Sequence, residues 1–115
     1  MPGHKVDRLA EDFKRELAVI MRGLKDPRIH GMLSIVKLDL SNDLSHCKIY
    51  ISAVEGMETA KEAVQGLNSA SGFIKRELMA RIQMRRCPDL KFIADDSIEQ
   101  SANLNKILRE LGQDR

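Results

Sequence analysis

AKEAVQGLNSASGFIKRELMARIQMRR, residues Ala60 to Arg86, decides how this chain is organised. Apolar side chains recur through it at helical spacing: Ala60, Ala63, Val64 and Leu67, then Ile74, Leu78 and Ile82. That step of three or four residues marks one buried helix face. The phase survives a run of four small residues, Ser69-Ala70-Ser71-Gly72, that a helix interior disfavours. Glycine there costs about 1 kcal/mol relative to alanine, and serine hydroxyls compete for backbone groups. The reading is two helices meeting at a kink.

Beyond the kink the chain turns basic. Lys75, Arg76, Arg81, Arg85, Arg86 and Lys91 face only Glu77 and Asp89 between residues 72 and 91, a net +4. A solvated helix face would account for such a run. A small-residue break that opens into a helix also exposes backbone N–H groups, where anions bind. The acidic character of the flanking stretches, 39–71 and 92–115, favours an oriented encounter with a polyanion over general stickiness.

The totals fit one ordinary domain spanning residues 1–115, with 43% hydrophobic and 31% charged residues. Aromatics make up only 3% and Trp is absent, which argues against an extended base-stacking platform. Cys47 and Cys87 lie far apart, without His in metal-ligand spacing, so neither a disulfide framework nor a zinc site is expected. With no signal-peptide core and no apolar run of membrane length, the expected setting is the cytoplasm.

In chain order, residues 4–25 read as an amphipathic helix with Val6, Leu9, Phe13, Leu17, Ile20 and Leu24 on its buried stripe, stopped by Pro27. Arg22, Lys25 and Arg28 at its end suit the helix dipole and would equally suit phosphate. Residues 32–40 and 46–53 form a hairpin about Ser41-Asn42-Asp43-Leu44-Ser45. In the first strand Val36, Leu38 and Leu40 share a face, with Leu33 and Ile35 opposite. A helix follows from about Glu58, and after the kink a basic helix is expected to run to Arg86, with Pro88 blocking continuation. Leu90 to Ala94 is a third strand, and a last helix carries Ile98, Ala102, Ile107, Leu108 and Leu111 behind a Ser97/Gln100 capping box.

Catalytic signatures are missing. His4, His30 and His46 stand without partners at fixed spacing, and there is no Gly-rich phosphate loop. Asp95 and Asp96 suit a helix N-terminus. The expectation is a protein that is not an enzyme and needs no cofactor or metal.

Four blocks resemble the ribosome-binding factor A family: Lys25-Asp26-Pro27-Arg28-Ile29; Val36 through Ser52, with Asp43-Leu44 in its turn; Ala70-Ser71-Gly72-Phe73-Ile74-Lys75-Arg76-Glu77-Leu78; and Pro88 to Ile93 with Asp95-Asp96-Ser97-Ile98-Glu99. The resemblance implies a small α+β domain of the type II KH-like kind, with a mixed three-stranded sheet, helices packed on one face and a helix–kink–helix at Ala70-Ser71-Gly72. It implies a non-catalytic, monomeric assembly factor that binds the immature small (30S) ribosomal subunit and its 16S rRNA late in maturation. A ribosome-associated GTPase that promotes release is an implied partner. Where most KH domains carry a Gly-x-x-Gly loop, this chain has Ser69-Ala70-Ser71-Gly72, matching the Ala-x-Gly kink of the resembled family. It lacks the long basic C-terminal tail that some members carry.

The expected RNA-binding set is Ser71, Gly72, Lys75, Arg76, Arg81, Arg85 and Arg86, with Arg28 and Lys91 as additional contacts. Phosphate contact positions a protein but does not read bases, so specificity should come from RNA shape. Two other readings stay open. One is a stand-alone KH-like binder of single-stranded RNA. The other is a protein-interaction module that uses the sheet face around Lys37, Lys48 and Tyr50.

Overall fold

The computed structural model describes residues 2–95. Helix α1 (Pro2–Gly23) leads into strands β1 (Leu33–Leu40) and β2 (His46–Ala53). Helices α2 (Met57–Ser69) and α3 (Ser71–Arg81) then precede strand β3 (Asp89–Ala94). The expected C-terminal helix lies outside the described residues.

The stripe on α1 buries Phe13, Leu17, Ile20 and Met21, which explains why this segment is helical in context: one face is removed from water. The helix stops at Gly23, two residues before the expected end. There the Leu24 N–H turns back to the Met21 carbonyl at 3.2 Å, ahead of Asp26-Pro27. Asp26 then builds the next turn. It accepts the Arg28 backbone N–H at 2.9 Å, and its second oxygen takes the guanidinium at 2.7 Å.

The sheet has order β1-β2-β3, with β1 antiparallel and β3 parallel to β2. Alternation on β2 buries Cys47, Ile49 and Ile51 toward the helices, while Lys48 faces away. Strand β1 departs from the simple two-residue period expected of it. Its register slips between Ile35, opposite Ile51, and Lys37, opposite Tyr50, so Val36 is the extra residue of a β-bulge. The bulge reverses the parity. Leu33 and Ile35 therefore lie on the same face as Leu38 and Leu40, and all four pack on the core side. The assignment of Val36 to the face of Leu38 and Leu40 is corrected accordingly.

Leu67 from α2, Ile74 and Leu78 from α3, and Phe92 from β3 complete the core with Phe13, Leu17, Ile49 and Ile51. At the free border of β3 the Asn68 side chain takes the place of a strand. Its carboxamide oxygen accepts the Phe92 N–H at 2.9 Å and its nitrogen donates to the Phe92 carbonyl at 3.1 Å. Gly66 lets the 24–32 connection lie against α2: a Cβ there would meet the Ile29 Cγ1 at 2.8 Å.

The basic helix is shorter than its charge pattern suggests. It ends at Arg81, because Ile82 is extended (φ −121°, ψ 126°). Ile82 and Met84 both pack against the core from this extended stretch, a two-residue step that a helix cannot supply. Pro88 further excludes helical geometry at the residue before it. Arg85 and Arg86 consequently sit in the connection to β3 and are not on α3.

Candidate nucleic-acid interface

The break between α2 and α3 falls at Ala70, with φ −92° and ψ 8°. Its N–H closes α2 on the Gly66 and Leu67 carbonyls at 3.0 and 3.1 Å, and its carbonyl accepts the Ile74 N–H at 2.9 Å to begin α3. Among the described residues no side chain caps the start of α3. Ser71 is half-buried and Gly72 exposed. A Cβ on Gly72 would meet nothing within 4 Å, and its backbone is not in the left-handed region. Neither packing nor conformation in the folded chain requires glycine here, in contrast to Gly66.

At a hundred degrees per residue, α3 carries four rows. Ile74 and Leu78 face the core. Gly72, Arg76 and Ala80 form the outermost row and are all exposed. Lys75 and Met79 lie on the flank toward β3, where the Lys75 ammonium meets the Asp89 carboxylate at 3.0 Å. Phe73, Glu77 and Arg81 line the flank toward α1.

The expected cations therefore fall into two groups. Lys75 is held by Asp89, and this contact keeps the Asp89 carboxyl below its ordinary range. Arg81 pairs with Glu16 of α1 at 3.4 Å and with Glu77 at 3.9 Å. Arg28 is engaged by Asp26, whose pKa is lowered by the Arg28 side-chain hydrogen bond. Arg76, Arg85, Arg86 and Lys91 are exposed, and among the described residues they make no side-chain hydrogen bond or ion pair. Arg86 adds only a weak attraction to Asp89. Surface pairs such as these contribute roughly 0–1 kcal/mol each, so phosphate competes readily for Lys75.

Sequence reading passed over one side chain at this face. Phe73 is 46% exposed although it follows the kink directly, and it borders a cleft of about 130 Å³ lined also by Val19, Ile20, Gly23, Glu77 and Arg81. Its place could be found from the helical period, which puts Phe73 one position off the buried Ile74–Leu78 row.

The thiols offer no nucleophile. Cys47 and Cys87 are both buried, and burial pushes the Cys47 thiol up to about 12 and the Cys87 thiol above its ordinary value. No group of three or more His, Cys, Asp or Glu side chains suited to a metal ion occurs among the described residues. No helix among them is long and apolar enough to cross a membrane.

Fold and surface together define a small α+β domain with a broken helix whose outer row exposes a glycine and an arginine. The chain belongs to the ribosome-binding factor A family, whose family model matches residues 5–108. A ribosome-binding factor A from Carboxydothermus hydrogenoformans is 45% identical over 112 residues, covering 96% of this chain and 89% of that one. The crystal structure of ribosome-binding factor A from Thermus thermophilus superposes with a TM-score of 0.68 at 31% identity, covering 76% of this chain and 92% of that one. A ribosome-binding factor A from the same organism, fitted into the cryo-EM map of a 30S–RbfA complex, gives a TM-score of 0.63 at 31% identity, covering 75% of this chain and 90% of that one.

Proposed function

We propose that this chain is a non-catalytic assembly factor that binds the immature small ribosomal subunit, through its 16S rRNA, late in maturation. It acts as a monomer in the cytoplasm, and a ribosome-associated GTPase promotes its release. The observation that carries the reading is the outer row of α3. Gly72 has no structural reason to lack a side chain, and it stands one helical turn from Arg76, which is unpaired among the described residues, while Arg85 and Arg86 follow in the connection to β3 and Lys91 lies beside Lys48 on the other face of the sheet. A bare backbone one turn from a free cation suits close approach of a phosphate chain. The relatives' names and the fitted 30S complex support the same partner.

In this reading Ser71 and Gly72 meet the RNA backbone, while Arg76, Arg85, Arg86 and Lys91 neutralise phosphates. Lys75 exchanges Asp89 for phosphate, and Arg81 holds α3 against α1. The test is co-sedimentation with immature small subunits over a salt series. Five phosphate contacts give a slope of log affinity against log salt of about −3.5, using the single-strand coefficient. A flat response removes the electrostatic basis of the proposal.

A further inference from the structure

Phosphate contacts explain affinity and leave open how an RNA segment is seated. The cleft between α1 and α3 bears on that question. Its walls are Val19, Ile20 and Gly23 on one side and Phe73, Glu77 and Arg81 on the other. Val19 and Phe73 are large apolar groups left 42% and 46% exposed, one on each wall, in a chain with few aromatics. Resting on the RNA reading above, we propose that this cleft receives one unstacked base of the bound RNA, stacked on Phe73.

The size fits. At about 130 Å³ the cleft approaches the roughly 150 Å³ apolar cavity that takes up a single benzene ring. The cleft is open along one side, so the ring of a base can enter edge-on. The polar groups fit as well. Glu77 supplies a carboxylate acceptor and Arg81 guanidinium donors at one end, and the two already lie 3.9 Å apart, so their spacing is set before a base arrives. An acceptor beside a donor matches the hydrogen-bonding edge of a base.

Phosphate can reach this position. The row of Phe73, Glu77 and Arg81 adjoins the exposed row of Gly72 and Arg76. A strand whose phosphates lie on Arg76 can therefore turn one base inward onto Phe73. Unstacked bases resting on aromatic rings are the usual means by which proteins seat single-stranded RNA. One such ring here gives a single seat, consistent with the absence of an extended platform.

The test uses the full chain in two variants. Phe73→Trp introduces the only indole, because the chain has no Trp. Its emission is expected to be quenched by oligouridylate and by small ribosomal subunits. Phe73→Leu keeps an apolar side chain and removes the stacking face. It is expected to weaken subunit binding by roughly 5- to 100-fold at fixed salt, the range for loss of one stacked base, with the salt slope unchanged. Both variants should melt with the wild-type chain, as Phe73 is half exposed. A steep salt slope in the wild-type chain together with full affinity in Phe73→Leu overturns the cleft and spares the RNA reading. No salt-dependent binding in the wild-type chain overturns both. An emission change caused by RNA-free small-subunit proteins, and none by oligouridylate, assigns the cleft to a protein and also overturns the inference.

Discussion

The guanidinium of Arg81 crosses from α3 to α1 and meets the Glu16 carboxylate at 3.4 Å. Glu77 approaches the same guanidinium at 3.9 Å, so the arginine sits between two acids on separate helices. Its first effect is on how α3 is seated, and its charge is largely answered within the fold.

Charge reversal should separate the two kinds of cation. Arg81→Glu brings a third carboxylate to Glu16 and Glu77 and is expected to lower stability by about 1 kcal/mol, read from the urea midpoint. Arg76→Glu has no such neighbours, so its midpoint should stay within about 0.5 kcal/mol of wild type. Its binding to small subunits should fall sharply. If Arg76→Glu binds normally, the outer row of α3 is not the contact surface.

Two glycines, six residues apart, should respond oppositely to the same substitution. Gly72→Ala meets open space and is expected to add about 0.5–1 kcal/mol of stability while weakening subunit binding. Gly66→Ala drives a methyl into Ile29 and should be destabilising, with overpacking of roughly 1–3 kcal/mol outweighing a helix-propensity gain of about 1 kcal/mol. Thermal melts and subunit binding of the two variants give the comparison.

The hairpin turn carries a pH signature. Asp43 accepts the Ser45 hydroxyl and the Ser41 hydroxyl, each at 2.7 Å, and the Ser45 N–H at 3.1 Å. Led by the Ser45 hydroxyl, these bonds hold its pKa at about 2 in place of 3.8. The folded chain therefore binds fewer protons than the unfolded chain between those values. The contribution is complete above 3.8 and is lost as pH falls toward 2. Melting temperatures of the wild-type chain and Asp43→Ala should differ most above about pH 4 and converge on acidification. A difference that stays constant with pH would mean the carboxylate does not organise the turn.

Asn68→Ala strips two partners from the Phe92 backbone at once. Leaving those groups unpaired is expected to cost about 1–3 kcal/mol. Hydrogen exchange at the Phe92 amide should accelerate beyond any change at Ile49 or Ile51, which pair within the sheet. Equal acceleration throughout would indicate general loosening.

Much of the fold was legible because amphipathic periods are local. Strand β2 matches its alternation at His46–Ala53, and the kink appears where the four small residues put it. What escaped depends on residues distant in sequence. The bulge at Val36 is set by pairing with β2, and a strict two-residue count along β1 alone places Leu33 and Ile35 on the wrong side. The end of α3 is set by Ile82 and Met84 finding the core. The basic residues were visible as a group, but not their division. Glu16 reaches Arg81 from 65 positions away and Asp89 reaches Lys75 from 14, so no local pattern distinguishes these two from Arg76. Gly66 looked like any helical glycine until the 24–32 connection was laid across it.

Asn68 also has a consequence for how molecules meet. By filling both bonding positions of Phe92 it imitates one residue of a fourth strand, and a neighbouring copy can align there only by evicting the carboxamide. With just six residues in β3, so central an obstruction leaves no continuous seam for ribbon-like stacking. A single amide thus closes the β3 border of the sheet to a further strand.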